Sequence, residues 1–414
     1  MSSRADPWRA MAKTRAARRA AARAATRELL DLNNDVLWLI LFRLPLAHDI
    51  ARVAPTCRGL RDAARLALVA RPFSSEVVKL SCDWDDLPDV QRSGIISVSV
   101  HGQRIVCAGY RGRVGLWDSG TRLWLETLHE TVHGGSTIRS VAFMPDGERF
   151  MTAEDNGFAG LHRIVPNSPF PTITSALVNL MPDEQDDQLS TMVICVATLP
   201  DGKHFVVGLG NCDVVLLDAA TGTRVHTFEG HGDSVNAVVV TRSGKHIVSG
   251  SDDGTIKVWS VAGKDLENDC FSVDDLLRRV EATGYGGVLS VAVIPGDDDE
   301  DFRILGGFSD GSVELHSRNG PNANVLDKTW REVHERQVAA LVVLPDNQHA
   351  LSGSTDATIK LFNFDEGVVL RTFRQRGLVR SLALLPDGLR FVSAAPDQSH
   401  LYIEQHGLAP VATA

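Results

Sequence analysis

Beyond about residue 77 the chain is written in short alternating runs. Apolar and polar residues trade places over four to six positions, and Gly, Pro, Asn, Asp or Ser breaks each run. A period of two with frequent breakers predicts antiparallel strands joined by tight turns. The clearest stretch is Gly230 to Trp259, GHGDSVNAVVVTRSGKHIVSGSDDGTIKVW, which reads as strands over Val235–Val240, Ile247–Gly250 and Thr255–Trp259. Residues 29–72 follow another rhythm. Leu32, Val36, Leu37, Ile40, Leu41 and Leu44 share one helical face until Pro45 ends the run. A second run through Ile50, Val53, Cys57 and Leu60 is broken by Pro55, and a third, Arg61–Val69, stops before Arg71-Pro72. Three short helices in some forty residues bury little apolar surface alone, so this module needs a partner. One more helix is expected from a capping-box-like start at Ser272–Asp275, through LLRRVEA, to a stop at Gly284.

The turns repeat. Pro-Asp-Gly or its variant stands at Pro145-Asp146-Gly147, Pro200-Asp201-Gly202, Pro345-Asp346-Asn347 and Pro386-Asp387-Gly388, with Arg242-Ser243-Gly244 taking its place in the reference stretch. Fifteen residues after the third turn residue comes the position of Trp259, and the same count reaches Trp117, His162, Leu217, Phe362 and Ile403. His316 completes the set once the acidic insertion Asp297 to Asp301 is allowed for. These positions mark seven units, spaced 45, 55, 42, 57, 46 and 41 residues apart. Six residues earlier each unit has a second turn, at Arg111, Asn156, Asn211, Asp253, Asp310, Asp356 and Asp397. Four of these are followed by Gly, which suits a turn that needs positive φ. Regular self-similarity at this period is the mark of a repeat architecture.

Composition divides the 414 residues further. The net charge of −10 hides a split: residues 1–73 hold 14 Lys+Arg and 6 Asp+Glu, and residues 74–414 hold 28 and 46. The whole-chain balance speaks against a nucleic-acid binder. Six cysteines lie scattered without metal-ligand spacing, which disfavours a disulfide framework or a zinc site and fits a reducing compartment. No run of eighteen apolar residues is present, and the start lacks the apolar core of a secretory signal. The first 27 residues hold eight Lys+Arg and the single acid Asp6. A solvated arm, an organelle transit peptide and a nuclear-import patch all have this composition.

The seven units resemble the WD-repeat family, over roughly residues 77–414. The family's marker set is complete in the fourth unit, as Gly230-His231, Ser249, Asp253 and Trp259. The resemblance implies that His231, Ser249, Asp253 and Trp259 form a structural tetrad of hydrogen bonds. It also implies a mainly β fold, a seven-bladed propeller of four-stranded blades. Seven blades close a ring and so dispose of exposed edges. Closure calls for a strand from one chain end in the blade at the other, and Glu76–Leu80 is the expected closing strand, with Leu408–Ala412 the alternative. The Ser position persists as Thr152, Ser352 and Ser393, whereas Cys107, Val207 and Gly306 leave their blades to apolar packing.

The stretch LNNDVLWLILFRLPLAHDIARVAPTCRGLRDAARLA resembles an F-box, through Leu32, Ile40-Leu41, Leu44-Pro45, Asp49-Ile50 and Cys57-Arg58. It departs from that family at Asn33, at one added residue near His48 and at Leu60. The domains expected are thus a basic Ala/Arg-rich arm (1–28), a small F-box-like helical module (29–72) and the propeller (73–414). Together the two resemblances imply a non-catalytic substrate receptor of an SCF-type cullin-RING ubiquitin ligase. Leu32, Val36, Leu37, Ile40, Leu41, Leu44 and Pro45 would dock on a Skp-type adaptor and cullin complex, and the propeller would bind a protein or peptide target. No nucleic acid, membrane, cofactor or metal enters this reading, and the expected location is cytoplasmic, nuclear or both. The alternative is a WD-repeat scaffold outside ubiquitin transfer, its N-terminal helices serving as a cap.

His231, Ser249 and Asp253 also have the residue types of a hydrolase triad, but partial copies in other units favour the structural role. No P-loop, HExxH or nucleophile-elbow motif is present, and no catalytic residue is assigned. Binding candidates come from the family's geometry, in which the start of each inner strand faces the channel. Eight residues before the third turn residue, that slot holds Arg139, Ile194, Asn236, Ala339 and Arg380, with Leu289 the fifth unit's nearest equivalent. Arg139, Asn236 and Arg380 are the candidate substrate-binding residues. Two arginines suit a carboxylate or phosphate, and ordinary surface arginines are the plainer alternative.

Overall fold

Each repeat folds into one antiparallel sheet of four strands. The computed structural model describes residues 78–81, 94–120, 123–128, 136–165, 172–179, 192–261, 270–271, 286–296, 301–317, 325–397 and 400–408. These lie within the unit Val77–Ala414 and form seven sheets, the blades of a mainly β, seven-bladed propeller. The basic arm, the F-box-like stretch with its seven candidate docking residues, and the expected helix at 272–284 lie outside the described residues.

The fourth blade shows how the sequence builds one sheet. Val235–Val240, His246–Ser251, Ile256–Ser260 and Cys270–Phe271 run from the innermost to the outermost strand. The third turn residue takes a left-handed backbone, as Gly147, Gly202, Gly244, Asn347 and Gly388, all at φ between 54° and 77°. Asn is the non-Gly residue that most easily tolerates that region. The turn aspartates carry a second device. Asp146, Asp201, Asp346 and Asp387 each accept from the backbone N–H two and three residues on. Their other oxygen meets the side chain at the third residue: Arg149 at 2.6 Å, His204 at 2.5 Å, His349 at 2.7 Å and Arg390 at 2.5 Å.

The core is a ring of seven apolar layers, each held between neighbouring blades. A blade therefore buries both faces, and its inner strands read as near-continuous burial, as along Arg104–Gly109. The residues at the Trp259 position, Trp117, His162, Leu217, His316, Phe362 and Ile403, are all buried. Innermost strands also bond across the blade gaps. Ser97 Oγ accepts from Val141 N at 3.1 Å, Ser140 Oγ from Val196 N at 3.3 Å, and Ser381 Oγ from Val98 N at 3.1 Å.

Ring closure follows the sequence expectation. Val78–Ser81 is the outermost strand of the last blade and pairs antiparallel with His400–Gln405, Leu80 opposite Leu401. Leu80 joins Ile95, Val98 and Trp117 of the first blade in one apolar cluster. The innermost strands Ser381–Leu384 and Ile95–His101 adjoin as well, so the ring is continuous.

His162 replaces Trp in the second blade. It stacks on Phe150 with centroids 4.7 Å apart, and bonds Thr152 Oγ1 at 2.9 Å and Ser175 Oγ at 2.8 Å. Burial pushes its imidazole down to about 4, because the charged ring loses its hydration there.

Two outcomes follow from this packing. Leu80→Ala should lower the stability of the propeller by about 2–4 kcal/mol, from lost transfer energy and the cavity left behind, as read by chemical denaturation. Because His162 binds its proton more weakly folded than unfolded, its contribution is complete above about pH 6.5 and declines as pH falls toward 4. His162→Phe should flatten the fall in stability over that window, by up to about 3 kcal/mol; an unchanged pH profile would contradict the assignment.

Candidate functional site

Two places bring chemically capable side chains together. The first is the constellation inside the fourth blade. His231 Nδ1 lies 2.9 Å from Asp253 Oδ2, and His231 Nε2 lies 2.7 Å from Ser249 Oγ. The connectivity is that of a Ser-His-Asp triad, but its surroundings are not those of an active site. Trp259 Nε1 donates to the same Ser249 Oγ at 2.8 Å, and both Ser249 and Trp259 are wholly buried. A nucleophile needs a free approach to substrate, and this hydroxyl has none. Asp253 also accepts from Gly232 N, Thr255 N and Thr255 Oγ1 at 2.6–2.7 Å. Burial alone raises the Asp253 carboxyl pKa, yet the bonds from His231, Thr255 and Gly232 outweigh it and hold the carboxyl below its ordinary value.

The sixth blade repeats the arrangement, which the sequence reading did not single out. His334 lies 2.9 Å from Asp356 Oδ2 and 2.8 Å from Ser352 Oγ, with Phe362 in the Trp position. The signal was present: His334 precedes Asp356 by the same 22 residues that separate His231 from Asp253. Burial lowers the His334 pKa, against the opposing pull of Asp356. A buried network built twice, once per blade, ties strands to turns.

The second place is the mouth of the central channel. In six blades the innermost strand has a register shift between its first and third residues. A bulge leaves one residue outside the ladder and re-aims its side chain. The bulged residues are Ile96, Arg139, Ile194, Asn236, Leu289 and Ala339, and in the last blade Arg380 directly precedes its strand. All seven line one cavity of about 460 Å³. Sequence offset alone does not reach Ile96, because the hairpin of the first blade turns tightly at Gly102-Gln103.

The structure thus brings the three candidate residues Arg139, Asn236 and Arg380 to one cavity. Asn236 is already engaged, donating to Asp252 Oδ1 at 2.8 Å and to Val288 O at 3.2 Å. Arg139 Nε is buried without a hydrogen-bond partner among the described residues. Arg380 is exposed and lines the same cavity. Enclosure by the surrounding protein lowers its pKa most, and repulsion from Arg139 adds to it. Asp252 is the one acidic residue lining the cavity. No group of three or more potential metal ligands occurs among the described residues.

Comparison with known proteins places this geometry in context. Residues 222–260 and 327–363, which run from the outermost strand of the third blade through most of the fourth and from that of the fifth through most of the sixth, match the family model for the WD domain, G-beta repeat. The target of rapamycin complex subunit wat1 of Schizosaccharomyces pombe is 28% identical over 42% of this chain and 64% of its own length. A U3 small nucleolar RNA-associated protein 15 homolog of Xenopus laevis is 26% identical over 45% of this chain and 41% of its own. A guanine nucleotide-binding protein subunit beta of Oryza sativa subsp. japonica is 24% identical over 45% and 48%. The chain spans between four tenths and two thirds of the length of these relatives.

These findings correct the ligase reading. The WD repeats are matched and the F-box resemblance is not supported. The relatives named above carry the names of a target of rapamycin complex subunit, a U3 small nucleolar RNA-associated protein and a guanine nucleotide-binding protein subunit, and none of these names is that of a ubiquitin-ligase receptor. The expected Skp-type adaptor and cullin partners fall with it. So does the exclusion of nucleic acid, since relatives of an acidic chain include RNA-associated proteins. The physical reason is that the matching positions are mostly apolar residues at helical spacing, a pattern any amphipathic helix pair can meet, and net charge averages over surfaces that act separately.

The twin networks generate one prediction. Asp253→Ala and Asp356→Ala should each destabilise the propeller by about 2–3 kcal/mol, since each strands a buried histidine and several turn donors. Thermal and urea melts of the two variants compare the costs directly. A negligible loss for either marks that network as dispensable.

Proposed function

We propose that this seven-bladed WD-repeat propeller is an interaction scaffold outside ubiquitin transfer, holding partner proteins of a larger assembly against its channel mouth. The observation that carries the reading is the convergence of seven side chains, six of them at bulges, on one cavity, while the His–Ser–Asp constellations are sealed inside blades. A rigid ring that presents variable side chains from a repeated backbone position is built for recognition rather than turnover. Arg139, Asn236 and Arg380 are its proposed contact residues. The relatives named for a target of rapamycin complex and for U3 small nucleolar RNA association support membership of a multi-component assembly. The small nucleolar name favours the nuclear half of the expected location.

The test is purification of the tagged full chain from its own cells at native expression, with size-exclusion and mass-spectrometric readout, before and after nuclease treatment. The expected outcome is a recurrent stoichiometric complex much larger than 44.9 kDa. Survival of that complex after nuclease marks protein-mediated assembly, and its collapse marks RNA as the tether. Elution as a lone monomer, with no stoichiometric partner, sinks the scaffold reading.

A further inference from the structure

The outer rim of the ring carries an apolar run. Among the described residues five large apolar side chains are exposed, and three of them are consecutive: Val368, Val369 and Leu370, at 49%, 43% and 46%. Single exposed apolar residues are ordinary, whereas a contiguous group marks a place where something docks. The three belong to Val368–Arg374, the outermost strand of the sixth blade, whose far edge pairs with no strand among the described residues. Leu370 is also the residue left out of the ladder, since Leu361 pairs with Arg371 and Phe362 with Val369. A bulge blunts an edge against regular strand addition, so what this edge offers is side chains. In the third blade the corresponding bulge exposes Val225, but there Arg224 and His226 stand on either side of it.

Charge selects the occupant. The strand runs from an acidic turn, Asp365-Glu366, to a basic end, Arg374 and Arg376. Asp365 is held by Arg303 at 2.7 Å. Glu366 and Arg374 are exposed, and their side chains have no hydrogen bond or ion pair among the described residues. They stand four residues either side of Leu370. A second copy of the strand, laid antiparallel about a two-fold axis at Leu370, therefore meets acid with base at both ends and apolar with apolar between. We propose that this edge is a self-association surface, through which two copies of the chain form an isologous dimer. Contacts about a two-fold axis must be self-complementary, and a strand that is acidic, then apolar, then basic meets that condition only when antiparallel to itself. An unrelated partner would need no such mirror in the charges. A contact built on one strand is smaller than a standard interface of about 20–30 residues a side, so the dimer is weak and forms with concentration. The surface lies on the outermost strand, away from the innermost strands that line the channel mouth, and does not depend on the scaffold reading.

Sedimentation equilibrium of the purified full-length chain, at low salt and over a range of concentrations, tests this. The average mass should rise with concentration from 44.9 kDa toward twice that value. Val369→Ser/Leu370→Ser should weaken the association by at least about tenfold. A thermal melt of that variant should show no loss of stability, since both side chains are exposed. Glu366→Arg and Arg374→Glu each set like charges against one another twice in a symmetric dimer, so each variant alone should stay monomeric. Mixed in equal amounts, the two should recover a dimer with one copy of each. The two reversed residues then face each other, and so do the two untouched ones. A wild-type chain that is monomeric at every concentration, undiminished association of the double Ser variant, or a mixture that behaves as its separate components overturns the proposal. Growth beyond a dimer overturns it as well, because an isologous contact closes at two copies. A wild-type monomer here, beside a stoichiometric complex with other proteins from cells, removes the self-association surface and leaves the scaffold reading standing. A dimer here, with no further partner in cells, overturns the scaffold reading alone.

Discussion

The pairing of Val78–Ser81 with His400–Gln405 is the constraint on which the rest of this structure depends. A linear stack of seven blades would leave one apolar layer uncovered at each end, and an open strand edge at the last blade. By carrying Leu80 into the layer shared with Ile95 and Trp117, the closing strand converts two unsatisfied ends into one more interblade contact. Closure also fixes the channel. Only in a complete ring do Arg139 and Arg380, from the second and seventh blades, come to flank the same first blade.

Within that ring, stability rests on layers rather than on any one motif. The hydrogen-bond network of His231, Ser249, Asp253 and Trp259 recurs with Phe362 in the sixth blade, and in the second it is replaced by Thr152 and His162. Blades with Cys107 or Val207 in the serine position pack those side chains into apolar clusters instead. Such substitution is tolerated because each blade is clamped on both faces. A polar network adds a modest net contribution to a sheet already buried on two sides, so its loss can be offset by better apolar packing.

Much of this was legible in the sequence, and the reasons differ by feature. Turn chemistry is local, so Pro145-Asp146-Gly147 and its copies announce hairpins without reference to the rest of the chain. Their regular spacing reveals seven units, and ring closure follows from the need to cover edges. His334 escaped notice because the sequence pattern sought Gly-His, while the network needs only an imidazole at the right distance from Asp356. The Arg149, His204, His349 and Arg390 partners of the turn aspartates were equally present in the sequence. They carry meaning only once a left-handed turn residue brings the third side chain back over the carboxylate. The ligase reading failed for a different reason. Helical stripes record burial, and burial does not name a partner.

The channel mouth shows how a repeat fold acquires individuality. A β-bulge at the same place in six blades frees one side chain per blade from the ladder, so its identity is unconstrained by strand pairing. Sequence offset locates these positions, yet it cannot say that Asn236 is already spent on Asp252 and Val288 while Arg139 Nε has no partner among the described residues. That difference decides which residues are free to act outward. Groups that satisfy one another inside the ring stabilise it, and a buried donor left without a partner carries a cost that a bond from outside would offset.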